Sequence, residues 1–226
     1  MKRSSSQLDD LADFYLGGGN LFQIWERGGA RGDSVTPSTY CAEYRHWMQD
    51  KIVKHLERSE NPQLLSLGCG NAAVESEVAA KGYRVLCVDA IQEAVDLARV
   101  KGLRALRADI TTWTPDEPCS VAYMDGVLGH LYRPETGLVP ILSRVRSWLQ
   151  SADPSHGTLI ASNDSPGNGQ PAESAAGVIG FHWLSASYLC DQVLLAGFGS
   201  ISSETFIYER PLSGTRARSV VVARLR

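Results

Sequence analysis

A glycine turn and a carboxylate at fixed spacing carry the clearest chemistry in this chain. Gly68-Cys69-Gly70 follows directly on the apolar run Leu64–Leu67. Glycines at such a turn let the main chain approach a ligand at the carboxyl end of a strand. Asp89 closes the next apolar run, nineteen residues beyond Gly70. A carboxylate there can accept hydrogen bonds from both hydroxyls of a ribose. The turn alone is weak, since Gly-x-Gly is frequent in loops. Turn and acid together point to a nucleoside-type cofactor. His130, just after a fourth apolar run, is the candidate base or acceptor-orienting residue; plain packing beside the cofactor is its alternative reading.

These residues need strands that end together. Gln63–Leu67, Arg84–Val88, Leu103–Arg107, Ser120–Met124 and Thr158–Asn163 read as five short strands. Helices alternate with them. Val74 and Val78 mark one that closes at Gly82, and Ile91, Val95 and Ala98 mark another that closes at Gly102. Leu138, Ile141, Leu142, Val145 and Leu149 mark a third. This alternation predicts an α/β fold with a doubly wound, mostly parallel sheet. A polar Gly/Pro loop fills 164–180, and Ser185 caps a last helix that Gly197 closes. Residues 200–209 and 217–225 then read as two strands joined by a long turn. That pair breaks the rhythm and predicts seven strands with an antiparallel C-terminal edge strand.

Upstream, residues 6–16 and the stretch from Thr36-Pro37 to about residue 58 read as helices. Gly17–Gly19 and Gly28-Gly29 are the hinges between them. Residues 1–60 are thus expected to form a helical cap, and 61–226 the cofactor-binding sheet domain.

Composition bounds the function. The chain has 226 residues, 43% hydrophobic and 21% charged, with a net charge of -3. That mix excludes collagen-like and disordered classes. With no basic excess, a broad nucleic-acid surface is not expected, although a net figure leaves room for a local patch. No apolar run reaches the roughly 18–20 residues of a membrane span, and MKRSSSQLDD lacks the apolar core of a signal peptide. A cytoplasmic protein is expected. Five cysteines without CxxC spacing support neither a disulfide framework nor structural zinc.

Five segments run in a telling order: LLSLGCGNAA (64–73), VLCVDA (85–90), ADI (108–110), AYMDGVLGHL (122–131) and FHWLSASYLCDQVLLAGF (181–198). Through them, residues 62–225 resemble a class I S-adenosylmethionine-dependent methyltransferase. The resemblance implies that Gly68 and Gly70 pass the methionine end of the cofactor. It implies that Asp89 holds the ribose, that Ala90 and Ile91 flank adenine, and that Asp109 receives its amino group beside Ile110. Cys69, Asp125 and Gly126 complete the implied cofactor set. The chain departs from the family pattern at Ser66, where an acid is usual, and at Ala72, where a third glycine is usual. Gly68-x-Gly70-x-x-Ala73 also satisfies a dinucleotide fingerprint. An NAD(P)-dependent oxidoreductase therefore stays as the alternative, although little chain remains for a substrate domain. A non-catalytic binding module of the same fold is the third reading.

The implied reaction moves a methyl group to an N or O atom of a small molecule, such as a specialised metabolite, leaving S-adenosylhomocysteine. Positioning dominates such a transfer. The cap is expected to supply Tyr40, Tyr44 and Arg45 to the cofactor, with Arg45 on its carboxylate. Tyr15, Phe22 and Trp25 are expected as an aromatic lid that excludes water. Tyr15, Trp25, Tyr132, Arg133, Asn163 and His182 are the expected acceptor-side residues. Asp125, Asn163 and Asp164 lie where catechol-type methyltransferases bind Mg²⁺; the chain does not otherwise resemble that group, and no metal is expected. A monomer or homodimer fits this scheme.

Overall fold

The computed structural model describes residues 5–152, 154–176, 178 and 180–226. Met1–Ser4, the opening of the segment read above for targeting, lie outside the described residues.

Seven strands form one sheet: β1 (Gln63–Leu67), β2 (Arg84–Asp89), β3 (Arg104–Arg107), β4 (Val121–Asp125), β5 (Thr158–Asp164), β8 (Ile201–Arg210) and β9 (Gly214–Arg224). Their order is β3-β2-β1-β4-β5-β9-β8. The first five are parallel, and β9 runs antiparallel to both β5 and β8. The C-terminal strand is thus the antiparallel one. It inserts beside β5, one place in from the edge, and leaves β8 outermost.

All five residues of β1 are buried, as a parallel strand covered on both faces requires. Neighbouring side chains point to opposite faces. Leu65 and Leu67 pack in a core with Leu142, Val145 and Leu189 of α8 (Val139–Ala152) and α9 (Ala186–Leu195). Leu64 packs in a second core with Met48 and Ile52 of α4 (Ala42–Leu56), Val78 of α5 (Ala73–Ala80) and Val95 of α6 (Gln92–Val100). The chain leaves β1 toward one edge and re-enters through β4 toward the other. The crevice between those two strand ends is the topological switch point, where ligands bind in such sheets.

Three short helices lie over this crevice: α1 (Ser5–Leu16), α2 (Leu21–Glu26) and α3 (Pro37–Tyr40). Leu21, Phe22, Trp25 and Val35 share a third core with Ile91 and Ala94. Asn20 caps α2 by accepting from Gln23 N at 3.3 Å. Lys101, at the end of α6, meets Glu26 at 2.6 Å and ties α2 down.

Two local features differ from the sequence expectation. The helix expected from Thr36 breaks at Cys41, which is extended and starts α4. The break lets Thr36 and Thr39 face the crevice while Tyr44, Met48 and Ile52 face the sheet. The loop at 164–180 contains β6 (Ala172–Ser174), paired with β7 (His182–Leu184). Three-residue strands are too short to show an alternation.

Candidate functional site

The site begins at the turn after β1. Gly68 has φ +76°, and a Cβ there would lie 2.7 Å from a methyl of Val127. Only glycine fits both the backbone and the space. Two residues on, the Gly70 N–H donates to Asp89 Oδ2 at 3.0 Å, and the Ile91 N–H donates to Asp89 Oδ1 at 3.0 Å. The turn and the acid thus hold one another, and the carboxylate is fixed at the crevice wall. Ala72 adopts φ +51° where the family pattern has glycine. A left-handed alanine costs about 1 kcal/mol, which its buried turn sustains.

The crevice is a cavity of about 910 Å³, counted with its open mouth. Gly68, Cys69, Gly70, Asp89, Ala90, Ile91, Asp109, Ile110, Asp125 and Gly126 all line it. So do Tyr15, Trp25 and His130. Asp109 is oriented by the Thr111 N–H at 2.9 Å and the Thr111 hydroxyl at 2.8 Å.

Glu75 also lines the cavity, and sequence reasoning missed it. It is 4% exposed and accepts from the Ser66 hydroxyl at 2.5 Å. Burial pushes its pKa up to about 7, against the pull of that hydroxyl and of its own backbone N–H. Ser66 stands where an acid was expected; Glu75 brings a carboxylate to the same corner from the first turn of α5. The signal was available in the sequence as a serine at the acid position and a glutamate nine residues later.

A second missed feature is a buried ion network beneath Gly126. Arg218, on β9 and 1% exposed, donates to Asp125, to Asp164 Oδ1 at 2.9 Å and to Ser162 at 3.2 Å. Burial would raise the Asp125 pKa, but the Arg218 guanidinium and Ser162 outweigh it and hold the carboxyl below its usual value. Arg210 on β8 donates to Asp164 and to the Tyr208 hydroxyl.

Several expected residues sit elsewhere. Tyr40 donates to the Glu209 carbonyl at the surface. Tyr44 is buried behind Asp125 and Ser162, its hydroxyl within 3.2 Å of Asp125 Oδ1 and 3.1 Å of Ser162 Oγ. Arg45 pairs with Glu77 at 2.8 Å, so its charge already has a protein carboxylate as partner. None of these three lines the cavity. Tyr132 stacks at 4.7 Å on His182, and Arg133 donates to the Tyr132 carbonyl at 2.7 Å. Asn163 Nδ2 donates to the His182 carbonyl at 3.0 Å. These four flank the helix that carries His130 rather than lining the cavity. Asp125, Asn163 and Asp164 do not converge on a common point: Arg218 stands between the two acids.

His130 lies on α7 (Leu128–Leu131) and is 8% exposed. Its Nε2 is 2.9 Å from the Tyr15 hydroxyl, and its ring packs on Phe181 at 4.7 Å. Beyond this pair opens a second chamber of about 440 Å³, counted with its mouth. It shares Tyr15, Trp25, Thr36, Gly126 and His130 with the first.

The residues present fit S-adenosylmethionine. A buried acid faces the cavity, a fixed carboxylate stands at the second strand end, and glycines leave room at the first. The family profile described as methyltransferase domain matches residues 65–146. The chain is 38% identical to a tabtoxin biosynthesis enzyme of Pseudomonas amygdali pv. tabaci, over 99% of this chain and 90% of that one. Among solved structures it superimposes on the [4+2]-cyclase SpnF with a TM-score of 0.66, 14% identity and 100% and 97% coverage. It also superimposes on magnesium protoporphyrin IX methyltransferase of Synechocystis PCC 6803 with bound S-adenosylmethionine, with a TM-score of 0.64, 17% identity and full coverage of both chains. The nicotinamide alternative falls with these matches. The chain belongs to the class I S-adenosylmethionine-dependent methyltransferases and shares their fold.

Proposed function

We propose that this enzyme methylates an N or O atom of a specialised metabolite that occupies the second chamber. The observation that carries this reading is the meeting of the two cavities at Tyr15 and His130. When bound, S-adenosylmethionine supplies an activated methyl group on its sulfonium. Asp89 receives the ribose hydroxyls, Asp109 the adenine amino group, and Glu75 the ammonium of the methionine end. His130 orients the acceptor or takes its proton, the latter only once the Tyr15 hydroxyl, which holds the ring at Nε2, has released that nitrogen. Tyr15 stacks on Phe22, Trp25 meets both edge-on, and the three exclude water over the cavity.

In this reading the cap consists of α1–α3, while α4, whose Met48 and Ile52 lie in a core of the sheet, belongs with the sheet. Among the described residues no helix is long and apolar enough to cross a membrane. We read it as a cytoplasmic enzyme, monomer or homodimer; the net charge of -3 gives no basic excess for a nucleic-acid substrate.

Titration calorimetry with S-adenosylhomocysteine and with NAD tests the reading. S-adenosylhomocysteine is expected to bind and NAD is not; binding of NAD alone overturns it. Removal of residues 1–36 is expected to abolish turnover while the sheet still folds, and full activity after truncation ends the lid role.

A further inference from the structure

We propose that the second chamber takes an acceptor bearing a carboxylate, and that Arg210 anchors it. The inference rests on the methyltransferase reading above and names the class of acceptor.

Two guanidinium groups line this chamber, and their states differ. Arg218 spends Nε and both terminal nitrogens on Ser162, Asp164 and Asp125. Arg210 spends Nε on Tyr208 and Nη2 on Asp164, and among the described residues its Nη1 makes no hydrogen bond. The side chain is only 9% exposed overall, yet Nη1 is not among the sealed, partnerless atoms. Nη1 therefore keeps some exposure, and the side chain that carries it lines the chamber. A largely buried guanidinium with unused donors is incomplete, and a carboxylate oxygen fills it best.

The surroundings agree. Phe181 and Trp183 give the chamber flat apolar walls, and Arg210 lies 5.9 Å from the Trp183 ring. The acids that face Arg210 are already engaged. Asp164 receives both arginines and the Tyr208 hydroxyl. Asp33, the other acid lining the chamber, accepts the Leu212 N–H at 2.8 Å and the Ser213 N–H at 3.3 Å. Asp125 and Asp164 balance Arg210 and Arg218 in charge, while Asp33 is held by its two backbone N–H donors. A planar molecule with a carboxylate at one end would rest on Arg210 and present its other end toward His130.

The test uses benzoate and benzamide, equal in shape and different in charge, titrated into the protein saturated with S-adenosylhomocysteine. Benzoate is expected to bind at least about tenfold more tightly, as loss of one charged hydrogen-bond partner implies. Arg210→Met is expected to bring the two within about twofold while S-adenosylhomocysteine affinity holds, since Arg210 does not line the cofactor cavity. Arg210→Lys keeps a charge beside Asp164 and serves if the methionine variant does not fold; it is expected to lose most of the preference, because the planar fork is gone. Equal binding of acid and amide, binding of neither, or a preference that survives both substitutions overturns the proposal. Failure of S-adenosylhomocysteine itself to bind sinks the methyltransferase reading as well; its binding without a carboxylate preference sinks this proposal alone.

Discussion

The cofactor cavity and the chamber beyond it share Tyr15 and His130, yet they are assembled by opposite routes. The cavity is made from strand-end turns, at 68–70, 89–91, 109–110 and 125–126, each a short run of consecutive residues. The chamber joins α1 to β8 and β9, and its floor pairs Arg218 with Asp125 across 93 positions. The ion pair at that floor is also buried deeper: Arg218 and Asp164 are 1% and 0% exposed, and Asp89 is 8%. Ligand-facing acids on short turns stay available to a ligand, whereas the chamber floor spends its charges mostly on itself. Arg210 is the exception, with one terminal nitrogen that has no hydrogen bond among the described residues.

That contrast can be broken at four points. Arg218→Met should have the largest effect, because it leaves Asp125 and Asp164 buried without their shared partner. A loss of about 3–5 kcal/mol in urea unfolding is expected; a loss below about 1 kcal/mol would mean that the floor is no ion network. Asp89→Ala should keep the fold and weaken S-adenosylhomocysteine roughly 100-fold by calorimetry, the scale of two charged hydrogen bonds. Unchanged affinity would remove the ribose role.

Glu75→Gln sharpens the comparison through pH. The folded pKa of Glu75 is raised to about 7, above its model-peptide value of 4.5. Its contribution to stability is therefore full below the unfolded pKa and is lost as pH rises through 7. Cofactor binding runs the other way, since an ammonium favours the ionised acid. Affinity for S-adenosylhomocysteine should climb several-fold between about pH 6 and 8, and Glu75→Gln should flatten that slope. A slope unchanged in the variant would take Glu75 out of the ammonium site. Arg45→Ala should do least: under about 1 kcal/mol of stability, as for a partly exposed pair, with cofactor affinity unchanged. A tenfold loss of affinity would return Arg45 to the cofactor carboxylate.

Legibility in the sequence follows the same divide. Gly68, Gly70 and Asp89 were readable as cavity positions because a strand end fixes where the next residue points, whereas Asp109 came through the family resemblance. Glu75 was missed because its helix was read only for its apolar face. Arg45 was misassigned because a helix position gives a direction but not a partner, and Glu77 lies on another helix. The hairpin of β6 and β7 was missed because three residues carry no period.

By itself, the sequence determined the alternation of strands and helices, the switch-point crevice and the acids at its rim. Those rest on local periodicity and on turns that need glycine. Only the tertiary structure decided which arginines are spent and which has donors left, that Ser66 and Glu75 share one corner, and that α1 reaches His130. These depend on contacts between segments far apart in the chain, where no local pattern fixes the distance.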